Sequence, residues 1–402
     1  MKHLILADTL FGGFSVSLLD HEVYQCALSF LIACFLSIVS IPIIINLSAL
    51  LNLTAKPGFR SSHHTDTPTL GGIALYASTL IAFFLWPHAA EIKDSNLTNL
   101  SMVGLTILFF LGLKDDILAL DSTKKLLVQI CASLTLVVMG DFKVDYLYGI
   151  FGWYYIPDWA SVPLTIFIFI ALINSINLID GIDGLAGGIS LIAGMGLGFW
   201  FLFNQHYTFA CLAFSMSGSL LGFLRFNFSK TSKIFMGDTG SLVIGFMLSF
   251  FAIAFLRLNI SYRNDPSAFF NAPIVVMVML IVPIFDTLRV FIVRIVKGGS
   301  PFVADRNHMH HILIDNGLTH FQASFSLWMV TIINTTLFFL FHGDYSNTIS
   351  LYIYIGLFFI YMGVAYMLKK RATERQEKKK YIQTASFTDQ DISITKKILK
   401  DL

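Results

Sequence analysis

Long uncharged apolar runs, separated by short polar interruptions, recur along the whole chain. They begin near Tyr24, Leu70, Thr98, Lys125, Val162, Gly188, Thr208, Gly237, Ala272, Ser324 and Ser350. A hydrocarbon core roughly 30 Å thick needs about 20 apolar residues per helix, so the pattern predicts about eleven membrane-spanning segments. In lipid every backbone N–H and C=O needs an internal partner, so these runs must be helical. The expected fold is all-α, a polytopic transmembrane helical bundle. It divides into an N-terminal segment (1–23), a transmembrane domain (24–368) and a basic tail (369–402). Asp8 interrupts the first short apolar stretch and no small-residue cleavage site precedes Tyr24, so no cleaved signal peptide is expected. No internal repeat is visible, which weighs against a transporter built from duplicated halves.

Composition fits this picture: 55% of residues are hydrophobic and 13% charged, whereas about a quarter are charged in soluble domains. A single-anchor enzyme and a β-barrel are thereby excluded. Lys and Arg (27) nearly balance Asp and Glu (25), so no nucleic-acid partner is expected from a global basic surface. Cys26, Cys34, Cys131 and Cys211 lie in apolar runs without metal or disulfide-framework spacing.

The distribution of charge says more than its sum. Alternate loops carry Lys56 and Arg60; Lys114, Lys124 and Lys125; Arg225, Lys230 and Lys233; then Arg289, Arg294, Lys297 and Arg306, followed by the basic tail. The opposite loops hold only Lys2, Lys93, Lys143, Arg257 and Arg263. The richer set is expected in the cytoplasm, which puts the N-terminus outside and the C-terminus inside. The tail reads as a solvated helix touching anionic headgroups.

Five polar clusters interrupt the apolar pattern: KPGFRSSHHTDTPTLGG (56–72), GLKDDILALDSTKK (112–125), NSINLIDGIDGLAGG (174–188), FMGDTGS (235–241) and SPFVADRNHMHH (300–311). Each follows an odd-numbered span and precedes an even one, so alternation places all five on the cytoplasmic face as one composite site. Asp115 and Asp116 are adjacent carboxylates near the lipid boundary, where ionisable groups are costly. Their repulsion calls for a divalent cation or a lysine, and Lys114, Lys124 and Lys125 are near. The bland alternative is a helix-end pair reaching water. Asn174, Asn177, Asp180 and Asp183 recur every three residues, which stacks them on one side of a helical stretch. Such groups suit a base and ribose, or outer metal contacts; a polar helix start with glycine packing is the alternative. Asp238 opens a helix between two glycines and can bridge through Mg²⁺ to a phosphate, or simply cap its own helix. Arg306, His308, His310 and His311 form a dense cationic, hydrogen-bonding group suited to phosphate and sugar hydroxyls. Zinc is disfavoured by the spacing and the lack of cysteine. Together these groups describe a site for a nucleoside diphosphate derivative whose co-substrate is a lipid.

In order and spacing, the segments resemble the polyprenyl-phosphate N-acetylhexosamine-1-phosphate transferase superfamily, from Tyr24 to about Leu368. The His motif, HMHH after SPFxxDR, resembles the GlcNAc-1-phosphate branch; the phospho-MurNAc-pentapeptide translocases usually show three consecutive histidines. Ala55 stands where many members carry Asp before Lys-Pro, so no carboxylate is carried over there. The resemblance implies that Asp115 and Asp116 handle the lipid phosphate next to the metal, and that Asp238 is a Mg²⁺ ligand. It also implies that Asn174, Asn177, Asp180 and Asp183 hold the nucleotide, while Arg306, His308, His310 and His311 face the diphosphate and amino sugar. A broken ninth span, which carries Pro273 and Pro283, would shape a groove for the prenyl chain.

The expected activity is transfer of N-acetylhexosamine 1-phosphate, GlcNAc 1-phosphate before others, from a UDP-sugar to undecaprenyl phosphate with release of UMP. Mg²⁺, or Mn²⁺ in its place, would be the cofactor. The setting would be the bacterial inner membrane, at the first membrane step of a cell-surface glycan such as lipopolysaccharide O-antigen or cell wall, and a homodimer is an allowed assembly. Direct attack by the lipid phosphate is favoured over a covalent intermediate on Asp116. The rivals are another UDP-N-acetylamino sugar or UDP-MurNAc-pentapeptide as donor and, from a different class, a carboxylate-based transporter.

Overall fold

Each apolar run falls on one helix or on one broken pair. In the computed structural model, residues 21–51, 53–55, 67–86, 92–262, 269–300, 306–341 and 345–398 are described. The N-terminal segment before residue 21 and residues 56–66 of the first polar cluster lie outside them. The helices are α1 (His21–Leu50), α2 (Gly71–Phe84), α3 (Ile92–Leu118), α4 (Ser122–Val137), α5 (Asp158–Ile179), α6 (Leu185–Phe203) and α7 (Tyr207–Asn227). They continue with α8 (Gly237–Ser261), α9 (Ala272–Met279), α10 (Ile281–Val296), α11 (Met309–Asp315), α12 (His320–Phe341) and α13 (Asn347–Ile398). Two small antiparallel pairs accompany them: β1 (Thr54–Ala55) with β2 (Thr67–Pro68), and β3 (Tyr146–Ile150) with β4 (Trp153–Tyr155). The chain is an all-α polytopic membrane protein.

Among the described residues, eight helices are long and apolar enough to cross a membrane, or nine if α9 and α10 are one broken span. The difference from about eleven lies in α2 and α4, with 14 and 16 residues. At 1.5 Å per residue they extend only ~21 and ~24 Å, short of a hydrocarbon core of ~30 Å.

The core is built on α7 and α8, which are almost wholly buried. Phe209, Phe223, Phe246, Phe250, Phe251 and Phe255 fill it. α1, α12 and α13 form the rim and turn large apolar residues outward, among them Phe35, Ile43, Ile333 and Phe359, a surface suited to lipid rather than water. α1 crosses α7 closely because position 218 is glycine: a Cβ there would strike the Phe30 carbonyl. Between α2 and α7, the Ser78 and Ser219 hydroxyls hydrogen-bond at 2.7 Å, satisfying two polar groups where no water reaches.

The ninth span bends by 79° between α9 and α10. Pro283 has no N–H to offer the Met279 carbonyl, so the ladder fails one turn earlier, at Leu280 (φ −114°, ψ 25°). Pro273 sits in the first turn of α9, where no donor is missed, so only one of the two prolines breaks the helix. At the chain's end, α13 runs 52 residues, joining the last apolar run to the tail without an interruption at residue 369.

Candidate active site

The last turn of α3 carries Asp115 and Asp116, placing negative charge at the negative pole of a helix, so both carboxylates take donors from beyond that helix. Asp115 accepts from the Leu120 backbone N–H (2.5 Å) and pairs with the Lys125 ammonium of α4. Asp116 accepts from the backbone N–H groups of Asp238 (2.7 Å) and Thr239 (3.0 Å) and from the Thr239 hydroxyl (2.5 Å). Those two N–H groups are orphan donors in the first turn of α8, so Asp116 caps α8 from another helix. Gly112 permits the approach, since a Cβ there would strike the Thr239 backbone.

Because Asp116 does the capping, Asp238 is not the cap of its own helix, the bland role open to it in the sequence. Its carboxylate instead accepts from Lys125 (2.7 Å) and from the Asn177 amide (2.8 Å), and Asn177 also reaches the Ser241 hydroxyl (2.8 Å). The described end of the first polar cluster joins the same spot. Phe235 N–H donates to the Pro68 carbonyl (2.8 Å), while Gly71 and Gly72 donate to the carbonyls of Phe235 (3.0 Å) and Met236 (2.9 Å).

The three-residue spacing from Asn174 to Asp183 does not produce one helical stack. α5 stops at Ile179 and Asp180 leaves the helical region (ψ 48°), so only the two asparagines share a helix face. Asn174 pairs reciprocally with Gln129 of α4, its amide donating at 2.7 Å. Asp183 accepts from Lys233 (2.7 Å) and lies 2.9 Å from His320 Nδ1, and its carbonyl accepts from the Ser324 hydroxyl (2.6 Å). Burial alone would raise the Asp183 pKa, but His320 and Lys233 hold it below the ordinary aspartate value. Asp180 differs: no donor approaches its carboxylate among the described residues, and burial, followed by the charges of Asp238, Asp116 and Asp183, pushes it up to about 8.

The histidine motif splits into separate environments. His308 Nδ1 lies 2.8 Å from a buried carboxylate oxygen of Asp286 on α10. His310 is buried, with neither ring nitrogen partnered among the described residues, and it covers Gly181, where a Cβ would strike the imidazole. Burial, with the neighbouring charges of His311 and His308, puts the His310 pKa well below its usual value. Burial and then Arg306 lower His311 to about 4. Both rings are therefore neutral near pH 7, and the group is less cationic than its composition suggests. Arg306 is exposed, pairs with Asp315 at 3.3 Å, and opens onto a cleft lined also by Lys369 and Gln376.

Residues 99–256 match the family described as glycosyl transferase family 4. Over 287 residues the chain is 34% identical to the decaprenyl-phosphate N-acetylglucosaminephosphotransferase of Mycobacterium leprae, covering 67% of this chain and 72% of that protein. Over 279 residues it is 30% identical to the undecaprenyl-phosphate alpha-N-acetylglucosaminyl 1-phosphate transferase of Escherichia coli, covering 67% and 71%. The chain belongs to the polyprenyl-phosphate N-acetylhexosamine-1-phosphate transferases.

In this family member the structure brings Asp115, Asp116, Asn177 and Asp238 together through direct bonds, and Asp180 faces the same charges. His310 touches the 180–184 loop. Asn174 is drawn aside into its amide pair, and Arg306 into its ion pair. Sequence reasoning missed Gln129, His320 and Asp286 altogether and counted Lys233 only as an orientation charge. His320 lies 137 residues from Asp183, and Lys233 lies 50 away, so no local spacing could reveal either partnership. Among the described residues, no three His, Cys, Asp or Glu side chains already form a metal-ligand set. The Lys125 ammonium stands between Asp115 and Asp238 instead.

Proposed function

We propose that the protein transfers GlcNAc 1-phosphate from UDP-GlcNAc to a polyprenyl phosphate, undecaprenyl phosphate in the bacterial inner membrane, and releases UMP. The observation that carries this reading is the convergence of Asp115, Asp116, Asp180 and Asp238 at helix ends, with Lys125 as the ammonium paired among them. The names of the relatives supply the substrates, and the rim of exposed apolar residues supplies a reason for a lipid acceptor.

The excess of carboxylates over cations fits a divalent metal, and the Asp180 oxygens, unpartnered among the described residues, fit it further. Oxygen donors suit Mg²⁺, with Mn²⁺ as a substitute. Asp238 and Asp115 would hold it, with Asp116 fixing Asp238 through the α8 backbone. Bound there, such a cation would neutralise charge on the phosphates during an in-line displacement. Lys125 adds a second positive charge, and Asn177 orients Asp238. His310, neutral and without a partner among the described residues, offers one donor and one acceptor to a sugar, and Arg306 offers charge to the diphosphate. Asp183 borders the nucleotide side, held by Lys233 and His320.

In the reaction a lipid-phosphate oxygen bonds to the β-phosphorus, and the bond from that phosphorus to the bridging oxygen breaks, leaving with UMP. The sugar C1–O bond stays intact. One phosphoanhydride replaces another, so the exchange is near balance and catalysis is mostly positioning and charge neutralisation. The Lys and Arg asymmetry supports an outside N-terminus and a cytoplasmic site and tail, which would deliver the lipid diphosphate to surface-glycan assembly.

Purified protein given radiolabelled UDP-GlcNAc, undecaprenyl phosphate and Mg²⁺ should yield UMP and a lipid-diphosphate sugar, and added UMP should regenerate UDP-GlcNAc. UDP as the nucleotide product would overturn the reading. Parallel assays with other UDP-amino sugars and UDP-MurNAc-pentapeptide fix the donor. Impermeant labelling of a cysteine placed at position 230 in intact cells would refute the orientation.

A further inference from the structure

The histidine loop has a support that makes no bond to the carboxylate cluster. Asp286 lies on α10, beyond the 79° break, and is only 1% exposed. Its Oδ1 accepts from the Arg289 guanidinium (2.9 Å), the Met309 backbone N–H (2.9 Å) and the Tyr361 hydroxyl (3.3 Å). Its Oδ2 lies 2.8 Å from His308 Nδ1. An ionised carboxylate only accepts, and Asp286 gathers four such donors, three on Oδ1 and one on Oδ2. Arg289 also donates to the Asn307 carbonyl, just ahead of His308. One buried anion thus ties together the broken helix, the histidine motif and α13.

This arrangement dictates the state of His308. A carboxylate only accepts, so Nδ1 must carry the proton, and in the neutral ring Nε2 is left as the acceptor. Met309 begins α11, so its bond to Asp286 fixes where that segment starts. The His308 ring lies over His310, with centroids 5.6 Å apart and planes 13° from parallel, and His310 covers Gly181. Ring orientation set at Asp286 is therefore passed, ring by ring, to the 180–184 loop beside Asp180 and Asp183.

We propose that Asp286 is a positioning residue of the transfer reaction: it fixes the His308 tautomer and docks the histidine loop onto α10, so that donor binding is set from the broken helix. The proposal rests on the reading that the histidine loop binds the UDP-sugar. A purely structural ion pair with Arg289 is the alternative, and it makes different kinetic demands.

Asp286→Asn separates the two. The asparagine carbonyl can still accept from Met309 and Arg289, but its NH2 faces His308 Nδ1 and forces the ring proton to Nε2, turning an acceptor into a donor. Removing such an orienting partner should lower kcat/KM for UDP-GlcNAc by about 10- to 100-fold, while KM for undecaprenyl phosphate stays within about twofold. In a His308→Ala background the same Asn substitution should cost less than about twofold, because it acts through a ring that is no longer there. Fully additive losses, an equal rise in both KM values, or wild-type donor kinetics would each overturn the proposal. If the Asn variant does not accumulate in membranes, His308→Ala alone decides: it should lose the same factor for the donor and keep the lipid KM, and unchanged donor kinetics would refute it. A wild-type protein that makes no lipid-linked sugar refutes the transferase reading itself, whereas normal wild-type turnover with an unaffected variant refutes only the role of Asp286.

Discussion

Asp116 and Asp286 both hold backbone N–H groups at the start of a helix other than their own, α8 in one case and α11 in the other. Around Asp116 the two helices also meet backbone to backbone, at Gly112 against Thr239, and α8 is buried along most of its length. Around Asp286 the fastening is by side chains: Arg289, His308 and Tyr361 reach in from α10, the histidine motif and the mostly exposed α13. The acidic half of the site is thus part of the core, and its geometry cannot shift without moving α3 or α8. The histidine half is a short segment hung from the rim, and its geometry can change while the bundle stands.

That contrast can be broken most sharply at Asp238. Asp238→Asn should reduce transfer by about 10³-fold or more, the scale of losing a charge-stabilising group at the reacting centre. Its thermal unfolding should be unchanged, because Asp116 rather than Asp238 caps α8. Near-normal turnover at ordinary Mg²⁺ would remove Asp238 from the reaction; a large fall in thermal midpoint would show that its bonds to Lys125 and Asn177 carry the fold.

Next in size is Gly112→Ala, which should act through the fold. The added methyl meets the Thr239 backbone, which no rotamer change can clear, so destabilisation of about 1–3 kcal/mol is expected from overpacking. Activity and thermal midpoint should fall together in detergent. A fully active, equally stable variant would show that the α3–α8 contact is loose.

A smaller, pH-dependent effect is expected at His320→Ala. His320 and Lys233 lower the Asp183 pKa against its burial, so this pairing stabilises the fold above the ordinary aspartate value near ~4 and is lost as pH falls through the lowered one. The variant should melt below the wild type at neutral pH, and the two curves should converge in acid. A deficit that keeps its full size in acid, once Asp183 is protonated, would refute the pairing.

The smallest effect belongs to the rim. Arg375 of α13 donates to the Asn316 carbonyl at 2.6 Å, next to α11, and is exposed. Arg375→Ala should change KM for the donor by no more than about twofold, since exposed substitutions fall within roughly 0.5 kcal/mol. A tenfold change in steady-state kinetics would mean that α13 braces the histidine loop far more firmly than one exposed bond suggests.

The polar clusters were legible because each interrupts an apolar background, where an unneeded charge is expensive, and all five meet through described residues. What could not be read was which group satisfies which. Asp238 looks like a helix cap, yet the cap is Asp116, which precedes it by 122 residues. Asp180 and Asp183 keep a helical spacing after the helix has ended, because a three-residue period does not record where the backbone leaves the α region. The span count exceeded the number of long apolar helices because hydropathy registers apolarity well and length less well: α2 is apolar but short, and α4 is short and opens on a lysine pair.

The cap that Asp116 supplies to α8 also fixes when, during synthesis, the site can exist. A chain emerges N-terminus first, and four helices, α4 to α7, lie between α3 and α8. Until α8 is inserted, Asp116 lacks the three donors that hold it and Lys125 lacks one of its two carboxylates. The helix that brings Asp238 is the one that brings those donors. Nascent chains stopped anywhere before Gly237 should therefore be inert rather than weakly active, and the acidic half of the centre should form in a single late event, when α8 docks.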